Sequence, residues 1–121
     1  MVLFNIQAEG PFNFQAAEAI PANSLVKLDT ASKLVATGAG GRPIGIIYDA
    51  VAIGGWVAVH ELRGIVQGLA GAAINAGDLV KAGATGSFAP EANVAVTTLA
   101  TLGVSTETVA GGDPIHVLCS D

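Results

Sequence analysis

The chain has 121 residues, of which 51% are hydrophobic and only 12% are charged, and its formal net charge is −5. This hydrophobic content favours a folded domain with its own core and argues against a disordered chain. Five basic residues against ten acidic ones argue against nucleic-acid binding, which needs clustered lysine and arginine to neutralise phosphates. Because the charged fraction is about half that of an average soluble domain, we expect part of the surface to contact other protein.

The sequence predicts neither a membrane span nor a secretion signal. Met1 to Asn5 lack the positive charge of a signal peptide, and the longest apolar run, residues 50–59, falls short of the ~20 residues that a membrane helix needs. The single cysteine, Cys119, excludes an internal disulfide framework and fits synthesis in a reducing compartment.

Short runs rich in valine, isoleucine and threonine alternate with turn-forming residues along the whole chain. The predicted strands, in chain order, are Val2–Gln7, Leu25–Leu28, Ile44–Tyr48, Trp56–Leu62, Ile65–Gln67, Leu79–Lys81, Val94–Leu102 and Ile115–Leu118. Helix-forming residues at 3.6-residue spacing are scarce. We therefore expect an all-β fold, arranged as a small antiparallel barrel or as a sandwich.

The opening segment, residues 1–15, differs in composition from the rest. It carries Phe4, Phe12 and Phe14, three of the chain's four phenylalanines, and it bends at Gly10-Pro11. We predict an extended N-terminal arm that lays its aromatic side chains on a neighbouring protein, followed by a single β domain over residues 16–121. The alternative is that the segment is an extra strand of the home domain, with its phenylalanines in the core.

A weak internal repeat runs through the domain. Residues 19–27 match residues 73–81 at six of nine positions, 54 residues later, and residues 45–59 partly match residues 103–117, 58 residues later. The repeat predicts two similar β units, within residues 19–62 and 73–119, that pair into one closed structure. The alternative is coincidence in a chain rich in alanine, glycine and valine.

The predicted strand around Trp56 has two apolar faces. Alternation places Val57 and Val59 on one face and Trp56 with Ala58 on the other. A single antiparallel layer needs only one apolar face, so the second face packs on another layer or on another subunit. Together with the opening segment, this gives four candidate contact residues: Phe4, Phe12, Phe14 and Trp56.

No set of residues has the spacing of a catalytic or metal site. His60, His116 and Cys119 lack the close spacing of metal-binding pairs, and the glycine-rich run 38–43 lacks the lysine and hydroxyl of a phosphate-binding loop. Four aspartates stand at predicted turns, where aspartate bonds its own backbone: Asp29, Asp49, Asp78 and Asp113. We expect a protein that is not an enzyme and binds no cofactor or metal.

The segments 20–27, 45–59 and 76–81 resemble the small capsid decoration, or cement, proteins of tailed bacteriophages. The shared features are an Ala-Gly-Asp-x-Val turn, a strand that begins Gly-Ile or Gly-Val and ends in Asp-Ala, and a following Gly-x-x-Val-x-Val strand. The likeness spans residues 19–118.

The resemblance implies a homotrimer on the outer surface of an icosahedral head, made in the host cytoplasm, that bridges major capsid proteins after the shell expands. Binding only the expanded shell would stabilise that state by mass action. The implied partners are the major capsid protein and further copies of the chain, with no nucleic acid and no membrane. Two alternatives are a β ligand- or carbohydrate-binding module, such as the head of a phage fibre, and a small enzyme, which the absence of a converging acid, base and nucleophile disfavours.

Overall fold

The computed structural model describes residues 12–39, 41–91 and 101–119, and nearly all regular structure in these ranges is β. The strands are β1 (Phe12–Gln15), β2 (Ser24–Leu28), β3 (Leu34–Ala36), β4 (Gly45–Ile47), β5 (Trp56–Val59), β6 (Gly64–Leu69), β7 (Leu79–Ala82), β8 (Phe88–Pro90), β9 (Thr101–Ser105) and β10 (Pro114–Cys119). A short 3₁₀ turn, Ala84–Gly86, precedes β8. Within these ranges, no helix is both long and apolar enough to span a membrane. The predicted all-β class is confirmed.

The strands form antiparallel sheets whose order is the same in the two halves of the chain. The second half is one five-stranded sheet in the order β6-β10-β9-β7-β8. The first half contains a sheet β1-β5 and a sheet β3-β2-β4, which a bridge between Ile46 and His60 connects into the order β1-β5-β4-β2-β3. Each half therefore places its first, fifth, fourth, second and third strands side by side.

The sheets are open, so the closed barrel among the expected architectures does not form. The outermost strands β3 and β8 have three residues each. Each meets the first strand of its half only through a single parallel bridge, Ala16–Leu34 in one half and Ala70–Phe88 in the other. Closure of a barrel requires every strand to form a continuous hydrogen-bonded ladder with both of its neighbours. A strand of three residues has too few backbone groups to form both ladders.

Residues 12–15, which the sequence analysis assigned to the arm, form β1. This strand pairs with β5 along its whole length, with Phe12 opposite Val59 and Gln15 opposite Trp56. It takes the place in the first half that β6 takes in the second. Residues 1–11, including Phe4, lie outside the described residues, as does most of the predicted strand Val94–Leu102. An arm that contacts another protein, followed by a separate domain, stays a prediction.

Isolated bridges also recur in the two halves. The bridge Ile20–Val51 corresponds to Ile74–Val109, with the same displacements of 54 and 58 residues that relate the two halves of the sequence. We infer that the chain folds as two copies of one β unit, called here the first unit (residues 12–60) and the second unit (residues 64–119). Each unit begins one strand earlier than the sequence repeat.

Each unit has its own apolar core. The first core consists of Ala16, Ile20, Val26, Leu34, Ile47, Val57 and Val59. The second core includes Val66, Ile74, Val80, Phe88, Ile115, Val117 and Cys119. Two further members of the second core, Leu25 and Ile46, are fully buried and come from β2 and β4 of the first unit. The two units are thus joined by apolar packing.

The two units fill their cores with a phenylalanine from different strands. In the first unit, Phe14 on β1 packs against the core that contains Leu34 on β3. At the equivalent positions the second unit has Gly68 on β6 and the fully buried Phe88 on β8. A Cβ atom on Gly68 would meet Cε2 and Cδ2 of the Phe88 ring. Each unit therefore pairs one aromatic side chain with a smaller residue across the same space.

Candidate interaction surfaces

The structure does not bring the predicted contact residues into one group. Trp56 points outward from β5 and is 69% exposed, whereas the valines that alternate with it are buried. The sequence pattern separates these two faces but does not decide which of them is buried. Phe14 lies on the other face of the β1-β5 sheet from Trp56, where it packs against the first core. Phe12 shares the face of Phe14 but stands at the start of the strand, where about half of its surface is exposed.

Ile53 joins Trp56 on one exposed turn that leads into β5. The Gly55 N–H donates to the Ala52 carbonyl at 2.9 Å, and Gly54 has a φ of +81°, the pattern of a type II turn. Ile53 is 73% exposed, the largest value among the big hydrophobic side chains of the described residues. We call residues 52–56 the Trp56 turn.

The second unit makes the same turn without large apolar side chains. The backbone bond recurs from the Asp113 N–H to the Ala110 carbonyl at 3.3 Å, and Gly112 has a φ of +92°. The residues equivalent to Ile53 and Trp56, 58 positions later, are a glycine and a proline. The turn therefore does not need these two side chains. Because exposed apolar side chains of this kind are typical of contact surfaces, Ile53 and Trp56 are candidate contact residues.

A second exposed apolar group crosses the outward face of the five-stranded sheet. Leu118 on β10 lies directly opposite Ile65 on β6 and Val104 on β9. Val104 in turn lies opposite Leu79 on β7. Ile65 is 65% exposed and Leu118 is 51% exposed. Directly opposed side chains on one face contact each other, so these four residues form a continuous stripe, called here the outer row.

Sequence reasoning identified neither Ile53 nor the outer row, although a signal for Leu118 was present. Alternation in β10 buries Ile115 and Val117 and turns His116 outward. The same alternation turns Leu118 outward, next to polar positions. An apolar residue at an outward position is informative, because a sheet face that remains in water is ordinarily polar.

The three residues that were weighed as a metal or catalytic set lie in different surroundings. The His60 ring lies against the Tyr48 ring, with centroids 4.8 Å apart. Nδ1 of His116 is 2.8 Å from Oε2 of Glu107. Cys119 is buried in the second core. Within the described part of the chain, no group of three or more His, Cys, Asp or Glu residues is placed to hold a metal ion.

The Glu107–His116 pair is a surface contact. The Glu107 carboxylate bonds the His116 ring and also accepts the backbone N–H of His116 at 2.8 Å. These bonds, that to the ring first, hold the pKa of the Glu107 carboxyl below its usual value. Because both side chains are exposed, solvent screens the pair and its effect on stability is small.

Two of the aspartates bond the backbone of their own turns, as their sequence context predicted. Oδ1 of Asp29 accepts the N–H groups of Ala31 and Lys33 at 2.8 and 3.0 Å. Oδ2 of Asp78 accepts the Asn75 N–H at 2.9 Å. These carboxylates stabilise turns.

A cleft of about 320 Å³ lies between the two units. It is lined mainly by small residues, among them Gly71, Gly83, Ala84, Thr85, Gly86 and Ser87. The described residues that line it include no charged or titratable side chain, so these residues present no charged group to a ligand.

Burial raises the pKa of the Cys119 thiol to about 11. At pH 8 we expect a thiolate fraction of roughly 0.1%, against roughly a quarter for an unfolded chain with a thiol pKa near 8.5. A chromogenic disulfide reagent should therefore label the native protein at least about 100-fold more slowly than the protein in guanidinium. Release of the coloured thiolate measures the rate, with Cys119→Ser as the blank. Equal rates in the native and unfolded protein would contradict the buried position of this thiol.

No protein-family model and no curated protein matches the chain. Among solved structures, it is similar to the N base of the head fibre gp8.5 of bacteriophage phi29, seen in a crystal structure. The TM-score is 0.78, and the match covers 92% of this chain and 93% of that chain at 18% sequence identity. The two chains therefore share one all-β fold over almost their entire lengths.

Proposed function

We propose that the chain is a non-enzymatic structural protein of a phage head, acting as a decoration protein on the outer surface of the expanded shell. The observation that supports this most is the fold, which matches the base of a phage head fibre over more than nine-tenths of both chains. The low content of charged residues and the two exposed apolar surfaces agree with a protein that works by contact with other protein.

The Trp56 turn is the proposed contact with the major capsid protein. It is tied to β1 by the bond from Nε2 of Gln15 to the Gly54 carbonyl at 3.0 Å, so its backbone is fixed before binding. Fixing a loop in advance lowers the entropy cost of association. Burying a side chain such as Ile53 or Trp56 contributes on the order of 1.5–3 kcal/mol.

Attachment at several points makes such a contact effective on a shell. A homotrimer presents three turns at once, so modest contacts with neighbouring capsid proteins combine into tight binding. A protein that binds the expanded lattice and not the compact one shifts the equilibrium toward the expanded state. Phe4 and Phe12 are proposed to make a separate contact, because Phe12 lies on the face of the β1-β5 sheet opposite to that of Trp56 and at the other end of the pair, whereas Phe14 packs in the home core.

Co-sedimentation with heads of the phage that encodes the chain tests the proposal. We expect wild-type protein to pellet with expanded heads and to stay in the supernatant with unexpanded ones. Combining Ile53→Ala with Trp56→Ala should weaken binding at least about 100-fold, since each side chain contributes more than about 1.4 kcal/mol, one factor of ten. A variant that begins at residue 12 keeps β1 and tests the contact proposed for Phe4.

Lys33→Ala serves as the control, because Lys33 is an exposed turn residue outside the apolar surfaces. It should bind as the wild type does. Equal binding to both forms of the head, or binding to neither, would contradict the decoration role. Wild-type affinity in the Ile53→Ala, Trp56→Ala double variant would remove the Trp56 turn from the capsid contact and leave the decoration role itself in place.

The similarity to a fibre base also favours a second candidate, in which the chain carries a fibre on the head and does not act as cement. Electron microscopy of decorated heads separates the two, because a fibre base continues into a projecting fibre and a cement protein ends in a compact knob. A carbohydrate-binding module receives less support, because the exposed Trp56 stands beside the apolar Ile53 and the amide of Gln15, opposite Trp56, donates to the Gly54 carbonyl of the turn itself.

A further inference from the structure

The outer row is exposed, yet the first-unit equivalents of two of its residues are fully covered. The equivalent of Leu118 is His60, which is half-buried. The pair Leu79–Val104 on β7 and β9 corresponds to the pair Leu25–Ile46 on β2 and β4, and both pairs lie directly opposite in register. Leu25 and Ile46 have no exposed surface and belong to the second core. Val104, in contrast, is more than one-third exposed.

The structure also shows what covers this face in the first unit. The second unit packs on it through β6 and the 3₁₀ turn. The Gly86 N–H donates to the Thr37 carbonyl at 2.8 Å, and the backbone of Gly86 lies close against that of Leu25. Within one chain, the second unit therefore covers the apolar outward face of the first unit. The second unit offers the same kind of face at the outer row.

We propose that the outer row packs against a second copy of this chain and forms the subunit contact of its oligomer. This inference rests on the proposed function and deepens it, because it names the surface through which copies associate and separates it from the capsid contact. Copies that each carry a net charge of −5 repel one another, and a contact without charged residues does not add to that repulsion. The row contains no charged residue, and Gln67 and His116 form the next, polar row on the same face.

The contact between copies cannot repeat the internal contact in every detail. A Cβ atom on Gly86 would stand 2.9 Å from the Leu25 carbonyl oxygen, so the internal contact requires glycine there. The equivalent residue of the first unit is Ser32, which has the same left-handed conformation, at φ +64°, and a side chain. The turn at Ser32 in one copy therefore cannot pack on the outer row of another copy in the way that the turn at Gly86 packs on Leu25. Rows that meet one another around a shared symmetry axis avoid this clash and use the same side chains from every copy.

Light scattering on purified protein at micromolar concentration tests the inference without any capsid. We expect a mass close to three times 12.0 kDa for the wild type. Leu118→Lys and Ile65→Lys should each shift the mass toward that of one chain and raise the dissociation constant at least about 100-fold, because each buries a charge in the contact. Ile44→Lys is the matched control, since it makes the same change at an exposed isoleucine that belongs neither to the row nor to the Trp56 turn, and it should keep the oligomer.

A second pair of variants keeps the inference testable if a lysine disturbs the sheet. Leu118→Thr and Ile65→Thr introduce a β-branched side chain that suits a strand, and circular dichroism with thermal unfolding verifies that they fold. In a Cys119→Ser background, Leu118→Cys should form intermolecular disulfides under mild oxidation, and Ile44→Cys should not. A monomeric wild type, or row variants that stay oligomeric, would overturn the inference.

The two proposals fail in different ways. A chain that oligomerises through the row and ignores expanded heads refutes the decoration role and leaves the subunit contact intact. A chain that binds expanded heads while its folded row variants stay oligomeric refutes the subunit contact and leaves the decoration role intact.

Discussion

Replacing Gly68 with alanine is expected to destabilise the protein by about 2–3 kcal/mol, which lowers the melting temperature by roughly 10 °C. The added Cβ would stand 2.8 Å from Cδ2 of Phe88 and 3.5 Å from Cδ1 of Ile46. The Phe88 ring is fully buried, and its neighbours leave it no space to move into. Guanidinium unfolding followed by circular dichroism measures the loss.

A double-mutant cycle identifies the cause of that loss. Phe88→Leu alone leaves a cavity and should cost about 1–2 kcal/mol. Combined with Gly68→Ala, it removes the colliding ring, so the double variant should be more stable than the sum of the single effects by at least about 1 kcal/mol. Gly38→Ala is the matched control, because its Cβ would meet nothing within 4 Å, and it should be close to neutral. Strict additivity of the two core changes would contradict this packing.

Replacing Gly103 with alanine adds one methyl group and is expected to destabilise the protein by more than about 3 kcal/mol, which exceeds the effect expected for Gly68→Ala. The new Cβ would meet the Leu118 carbonyl oxygen and stand 2.9 Å from the Cys119 Cα, both of them backbone atoms of β10. No change of rotamer relieves a clash with backbone. Since β9 lies between β10 and β7, moving it away from β10 also disturbs its ladder with β7.

The equivalent glycine of the first unit supplies a second measurement. A Cβ atom on Gly45 would meet the His60 carbonyl oxygen and stand 2.6 Å from Cγ1 of Val59, so Gly45→Ala should be comparably destabilising. Differential scanning calorimetry on both variants, with Gly38→Ala as the reference, measures the effects. A melting temperature within about 3 °C of the wild type for Gly103→Ala would show that β9 and β10 lie farther apart than described.

Strands with a clear valine and isoleucine pattern could be predicted from the sequence, whereas the short strands β3 and β8 could not. β4 is equally short but lies within the longer apolar run Ile44–Tyr48, which was predicted as a strand. The predicted Leu25–Leu28 and Ile115–Leu118 differ from β2 and β10 by one residue at one or both ends. β3 and β8 were missed because three residues carry no period, and β8 ends in Pro90. These two strands form because β2 and β7 offer them an edge to pair with. Their existence depends on tertiary context, which no local window contains.

The candidate surfaces were predictable only in part, for a related reason. Alternation alone placed Trp56 and the valines on opposite faces of the strand, and left open whether Trp56 packs on another layer or on another subunit. Ile53 lies in a turn, where no period applies, and only the comparison with the glycine of the second unit marks it as unusual. Whether Leu25 or Leu79 faces solvent depends on where the second unit docks. That docking is a long-range event, so identical Leu-Val-Lys motifs have different burial in the two units.

The way in which the first unit completes the second core also sets an order for folding during synthesis. The ribosome makes residues 12–60 before residues 64–119, and chains begin to fold from the N-terminal side as they emerge. All five strands of the first unit lie within residues 12–60, so this unit can fold early with Leu25 and Ile46 uncovered. The second unit then condenses on a surface that is already in place, and Leu25 and Ile46 act as a template for its core. A nascent chain stalled between the units would display this apolar template to the cytosol, which makes that stage of synthesis the one most exposed to aggregation.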